Sequence, residues 1–424
     1  MELYQNLEYA LDEETDTYTV TAMTYDSSPQ SLVIPYGHEG KPVTGIANEA
    51  FGYRAFQSVT IPETVTSIGS LTFSNCSYLA RFTVIAGNPV YHSDGNCLIE
   101  TQSKTLLAGC ITSEIPTDGS VTIVGEYAFA NRDFANDTVL TIPGGVTEIG
   151  DYAFSGCYKL TGVTLPGSVT SIGAWAFNAC RNLADVAVPN SVTCIETGVF
   201  DNCTDLKSVT IADGVTAIKD SAFRFCSSLA SVTIPGSVTA IGERAFEGCN
   251  ALAEVVIPSG ITSIEDYVFS GCSALTSVTI PNGVTSIGSG AFSGCSALTS
   301  VTLPSGLYSV ESNTFAGCSS LKSITIPSDV RFIYPGAFYG CKSLTSITIP
   351  ANVFYIGYGA FEECDNLTSV VIEDDDVRYF GRRAYHHGND YTFLPKKDLV
   401  EPAVAAEYLK NTYCNCTWQR AYDV

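Results

Sequence analysis

Phenylalanine stands at positions 154, 177, 200, 223, 246, 269, 292, 315, 338 and 361, a spacing of 23 residues at every step. Three residues further on, cysteine keeps the same interval from Cys157 to Cys364, and leucine keeps it from Leu160 to Leu367. Val163, Leu165, Val169 and Ile172 begin the remaining apolar columns, so seven slots recur per unit while charges drift between them. Neither a helix nor a plain strand has this rhythm. The two-residue gap in Val-Thr-Ile marks a short strand with one buried face. The proline that follows lacks the N–H to extend a ladder and turns the chain away. "IGSGAFSGC" (287–295) then returns, carrying Ile287, Phe292 and Cys295 inward. Each unit is thus predicted to be one coil of a β-rich solenoid.

A single coil does not hold itself together. Burying seven apolar side chains contributes roughly 10–20 kcal/mol, whereas ordering the backbone costs about 1–2 kcal/mol per residue. Neighbouring coils must pair the strand and seal the faces. That requirement also explains how 424 residues escape the size limit of a single globular core. The predicted organisation is a hairpin cap and first strand over 1–46, a solenoid over 47–372 with a hairpin projecting at about 88–110, and a degenerate last coil and cap with a short helix over 373–424. The caps follow from "YALDEETDTYTVTAMTY" (9–25) at one end, and from "TFLP" (392–395), "EPAVAAEYLKN" (401–411) and Trp418 at the other.

The formal net charge of −23 argues against nucleic acid, whose phosphates are gripped by Lys and Arg. No apolar run reaches the length that crosses a bilayer, and the first residues lack the basic start and apolar stretch of a secretion signal. Sixteen cysteines suggest a disulfide framework in a secreted chain, but their positions favour another reading. The same slot in adjacent coils lies about 4.8 Å apart, and a disulfide needs Cβ atoms about 3.5–4.5 Å apart with a specific dihedral. The column is therefore read as packing by small apolar side chains, with disulfide pairing or metal binding as the alternatives.

Four stretches together resemble one family: "LVIPYGHEGKPVTGIANEAF" (32–51), the repeated "LTSVTIPNGVTSIGSGAFSGC", "NPVYHSDGNCLIE" (88–100) and "TFLP…VAAEYLKN…W". They are similar to the BspA-type, or Treponema-type, leucine-rich repeat family, and the likeness covers essentially the whole chain. The resemblance implies a right-handed leucine-rich-repeat coil, a parallel sheet on the concave face and short irregular or 3-10 return segments on the convex face. It also implies a bacterial protein at the cell surface or secreted, its signal peptide removed, acting in adhesion to host or microbial proteins. No catalytic residues come with the resemblance.

The residues themselves offer little chemistry. His38 and His92 read as solvated loop residues, and His386 and His387 read as divergence of a coil's return segment. Cys414 and Cys416 form a CxC without a second pair, a weak zinc signal. Glu373, Asp374, Asp375 and Asp376 could present oxygen ligands to calcium, though Arg378, Arg382 and Arg383 nearby favour ion pairs. HExxH and GxSxG are absent. The expectation is a protein that is not an enzyme and carries neither cofactor nor metal.

The outward strand positions form two columns of hydroxyls. One runs Ser208, Ser231, Ser277, Ser300, Ser323, Ser346 and Ser369; the other runs Thr210, Thr233, Thr279, Thr302, Thr325 and Thr348. Ordinary strand preference explains threonine there, and interface hot spots favour aromatics and arginine instead. Candidate protein-binding residues are therefore the threonine column together with Tyr91 and His92 on the insertion and Arg378, Tyr379 and Arg382 near the end. The alternative is that regularly spaced hydroxyls match a repetitive polysaccharide or ice-like surface.

Overall fold

The computed structural model describes residues 7–24 and 30–372, with the backbone of 379–380 and 417–420. The chain divides into two compact units, Met1–Leu206 and Lys207–Val424. Each is a β-solenoid, and no helix occurs among the described residues.

Two short strands form per coil. The expected one lies on the Val-Thr segment: Ser277–Thr279 follows an exposed–buried–exposed pattern and pairs in parallel with Glu254–Val256. The second is a two-residue strand that the spacing does not announce. Ser286–Ile287 pairs in parallel with Ser263–Ile264, placing Ile264 and Ile287 inward. Between the strands the proline carbonyl closes a turn, with Val284 N donating to Pro281 O at 3.1 Å. Proline suits that position because only its carbonyl is used.

The return segment is a run of tight turns rather than a 3-10 helix. Ala245 N donates to Gly242 O and Cys249 N to Phe246 O within the coil. Two residues per coil sit in the left-handed region, Arg244 (φ 55°) and Gly248 (φ 71°) in this one. Their turns aim alternate N–H groups at the next coil: Arg244, Phe246 and Gly248 donate to Asp266, Val268 and Ser270 at 3.0, 2.9 and 2.7 Å. The glycine after isoleucine has its own reason. A Cβ on Gly288 would lie 2.4 Å from Asp266 Oδ1, the oxygen that accepts from Ser289 N at 2.7 Å.

Ala179 occupies a left-handed slot (φ 55°) that glycine fills in six other coils, from Gly156 to Gly340. A Cβ there costs about 1–2 kcal/mol, and glycine's extra chain entropy cancels part of the gain. Ala179→Gly is expected to stabilise the protein by about 0.5–1 kcal/mol, read as a higher urea midpoint. An unchanged or lower midpoint refutes this account of the turn.

Inside, the phenylalanines form near-parallel stacks. In the first unit Phe129, Phe154, Phe177 and Phe200 follow at 5.0, 5.2 and 5.7 Å between ring centroids. Phe223 to Phe361 continue likewise in the second, at 5.3–5.7 Å. No disulfide joins the cysteines among the described residues, and the column does more than fill space. Each thiol donates to the phenylalanine carbonyl of the preceding coil: Cys180 Sγ to Phe154 O at 3.2 Å, Cys272 Sγ to Phe246 O at 3.3 Å. That carbonyl also accepts its own coil's Cys N–H, as Phe154 O does from Cys157 N.

The N-terminal hairpin pairs Leu7–Asp12 with Thr17–Met23. Thr17–Met23 then runs parallel to Lys41–Ile46, and Lys41–Ile46 to Ser67–Ile68, so the hairpin covers the open edge of the second ladder. His38 is not a free loop side chain: its ring stacks on Tyr9 at 3.9 Å. At the other end Thr417–Arg420 adds to Ser369–Ile372, and Tyr379–Phe380 adds to Tyr355–Ile356 with the 24-residue offset seen in the sequence. The expected strand at 392–395 and helix at 401–411 lie outside the described residues, as do Glu373–Asp376, His386, His387, Cys414 and Cys416.

The projecting hairpin needs correction. Tyr91–Asp94, Cys97–Glu100 and Thr105–Ala108 form a meander, and the last strand joins the second ladder beside Ile123–Val124. Cys97, Leu98, Ile99 and Leu106 are fully buried. The apolar run 97–99 gives the middle strand two buried faces, which no solvent-projecting hairpin could accommodate.

Candidate functional site

All six threonines of the predicted column, Thr210, Thr233, Thr279, Thr302, Thr325 and Thr348, are exposed. Neighbours stand in register, Thr210 beside Thr233 and Thr302 beside Thr325, with Ser208 beside Ser231 and Ser300 beside Ser323. The columns are interrupted by Glu254, opposite Ser277, and by Val256, opposite Thr279 and 68% exposed. A shallow groove of about 320 Å³ crosses them, lined by Ser323, Thr325, Ser346, Thr348 and Pro350.

The insertion residues fare differently. Tyr91 is a core residue, 5% exposed, whose hydroxyl accepts from Ile68 N at 3.0 Å. It offers nothing to a partner, because the meander around it is buried. His92 is half-buried, with Nδ1 2.9 Å from Thr101 Oγ1. Arg378 and Arg382 lie outside the described residues. Tyr379 is placed by its backbone, in register beside Tyr355.

That register leads to a surface cluster which the reading of the sequence missed. The slots holding Thr262-Ser263 and Thr285-Ser286 in earlier coils hold Tyr308-Ser309, Arg331-Phe332 and Phe354-Tyr355 in later ones. Phe332 sits at the centre, 5.5 Å from Tyr308, 4.6 Å from Phe354, 5.8 Å from Tyr334 and 6.4 Å from Tyr355. The Arg331 guanidinium lies 5.9 Å from the Tyr308 ring centre, within cation–π range. Tyr308 is 54% exposed, and Phe332, Tyr334, Phe354 and Tyr355 are half-buried. Burial, with the charge of Glu311 and the Tyr308 phenol nearby, raises the pKa of Tyr334 and keeps it a neutral donor. The available signal was the break in the hydroxyl pattern at 308, 331, 332, 354 and 355.

Aromatics beside arginine on a rigid sheet suit burial against another macromolecule more than covalent chemistry. Among the described residues no three His, Cys, Asp or Glu side chains converge as a metal site, and no helix is long and apolar enough to cross a membrane.

Known proteins agree with this architecture. The model of the BspA type leucine rich repeat region matches residues 44–140, 100–230 and 262–392, in six copies. A leucine-rich repeat protein from Bacteroides ovatus is 27% identical with a TM-score of 0.60, over 89% of this chain and 98% of that one. A leucine rich cell surface protein from Faecalibacterium prausnitzii is 30% identical with a TM-score of 0.49, over 87% of this chain and 93% of that one. No curated protein matches. Leucine-rich repeats of this kind are generally protein-interaction modules. On its repeat, its fold and these matches, the chain belongs to the BspA-type leucine-rich repeat family.

Proposed function

We propose that this protein is a non-enzymatic binder displayed at the cell surface or secreted, which docks a host or microbial protein as an adhesin does. The aromatic–arginine cluster around Phe332 carries the reading. Hot spots concentrate in aromatics and arginine that can be desolvated on a rigid support. Here Tyr308, Arg331, Phe332, Tyr334 and Tyr355 share one such support. The backbone of Tyr379 continues the same ladder, which brings one of the C-terminal candidates beside the cluster. The family and a cell-surface relative add weight to the location.

The second reading rests on the groove lined by Ser323, Thr325, Ser346 and Thr348, a hydroxyl-rich surface suited to a polysaccharide. Glu254 and Val256 count against a long repetitive match.

The experiment compares capture of host matrix and microbial surface proteins by wild type, by Tyr308→Ser/Phe332→Ser and by Thr325→Asp/Thr348→Asp, with insoluble polysaccharides as a parallel arm. Loss of two hot-spot side chains is expected to weaken a protein complex by about thirtyfold or more, with the groove variant unaffected. Undiminished capture by the aromatic variant removes the cluster from the proposal. Polysaccharide retention lost only in the groove variant favours the second reading.

A further inference from the structure

In the first unit, return segments stack by donating three backbone N–H groups forward. Tyr152, Phe154 and Gly156 donate to Ala174, Ala176 and Asn178 at 2.9, 2.7 and 2.7 Å. Tyr127, Phe129 and Asn131 donate to Asp151, Ala153 and Ser155 at 3.0, 2.7 and 2.7 Å. Leu71, Phe73 and Asn75 hold the same three positions one stacked coil earlier, with Leu71 and Asn75 left-handed like their counterparts (φ 58° and 57°). Their N–H groups find no acceptor among the described residues. The 88–110 meander is the cause. It sits between the two coils, and the return segment of 69–76 meets that of 125–132 across a crevice of about 280 Å³.

Three properties of this crevice point to one kind of ligand. One wall presents the N–H donors of Leu71 and Phe73. Behind it lies Arg132, 1% exposed and seated where other coils have cysteine. Its Nε, Nη1 and Nη2 donate to Gly109 O, Cys76 O and Phe73 O at 2.8, 3.0 and 2.9 Å. No carboxylate partners it among the described residues, and burial acts against its charge. A buried cation without a counter-ion is costly, and an anion drawn close offsets that cost. The opposite wall supplies acceptors. Ala128 O is taken by Gly109 N at 2.8 Å, while Glu126 O accepts from no described residue. Leu98, Leu107 and Ala108 form an apolar floor, and the half-buried ring of Tyr127 lines the side. The one acidic side chain in the lining, Glu126, is exposed at the mouth, where solvent screens it.

We propose that this crevice binds a ligand of amino-acid size through its carboxylate. The carboxylate accepts from the N–H groups of Leu71 and Phe73, two backbone donors on one wall, with Arg132 supplying the field. A ligand N–H adjacent to the carboxylate donates to Glu126 O. The volume corresponds to about nine waters, far more than a monatomic ion needs. The chemistry is shared by a free amino acid and by the C-terminal residue of a peptide.

The amide resonances of Leu71 and Phe73 in the full chain read the site directly. Titration with N-acetylalanine is expected to move these two resonances in a saturable manner, with at least tenfold weaker binding of the neutral N-acetylalaninamide and no response to equal chloride. Binding of alanine as well assigns a free amino acid as ligand; binding of N-acetylalanine alone assigns a peptide terminus. Thr105→Trp, which crowds the lining from the neighbouring strand, is expected to lower affinity tenfold or more with an unchanged unfolding midpoint. Unmoved amide resonances in wild type, or equal affinities for the acid and its amide, overturn the proposal.

Discussion

Moving from neutral pH to about pH 9.5 is expected to lower the folding stability by on the order of 8 kcal/mol. The cause is the thiol column together with the two cysteines of the insertion. In the unfolded chain a cysteine ionises near pH 8.5. In the coils burial pushes Cys157, Cys272, Cys318 and Cys364 up to about 12, and burial pushes Cys97 and Cys110 equally far. The folded-state values lie above the unfolded one, so the folded chain holds these protons more tightly. Their stabilisation is complete below about pH 8.5 and falls as pH rises toward 12, by about 1.4 kcal/mol per thiol and pH unit. Burial raises Cys180, Cys249 and Cys295 in the same direction. Urea unfolding at a series of pH values under reducing conditions measures the slope. Cys272→Ala/Cys295→Ala should start less stable at neutral pH, having lost two thiol–carbonyl bonds, and should then decline less steeply. A midpoint that stays flat between pH 8 and 10 contradicts the buried-thiol account.

Arg132→Cys is expected to destabilise the protein by about 3–5 kcal/mol, although it restores the residue that the repeat prescribes. Elsewhere a thiol reaches the phenylalanine carbonyl of the preceding coil at 3.1–3.3 Å. At Arg132 the stacked coil stands further away because the meander intervenes, and the longer guanidinium reaches Phe73, Cys76 and Gly109 instead. A thiol leaves these buried carbonyls without their donor, at about 1–3 kcal/mol each where water does not replace it. Arg132→Lys keeps the charge but only one donor centre, and should fall between the two in a denaturant titration. If Arg132→Cys matches wild type, the arginine is not a bridge across the crevice.

Much of the architecture was legible in the letters. The spacing of Phe154, Cys157 and Leu160 announced the coil, and the Val-Thr alternation announced the first ladder. The second ladder stayed hidden because two residues, Ser286–Ile287, are too few to display a period. The insertion was misjudged at 97–99. Turn signals around it suggested a free hairpin, while Cys97, Leu98 and Ile99 were apolar on both faces and became core. Tyr91 went with them. The aromatic cluster was present in the sequence at 308, 331, 332, 354 and 355, yet as isolated departures from a hydroxyl pattern it carried no sign of convergence.

By itself, then, the sequence determined which side chains face inward, since apolar residues at a fixed interval must share a dry interior with neighbouring coils to offset the entropy of ordering them. Tertiary structure alone decided where the regular stacking fails and what gathers on its surface. Residues 73 and 132 are 59 positions apart, and no local rule reports that the N–H groups of Leu71 and Phe73 go without an acceptor there. Such sites depend on the spacing between coils, which is set by how the inserted meander packs and not by any single residue's preference.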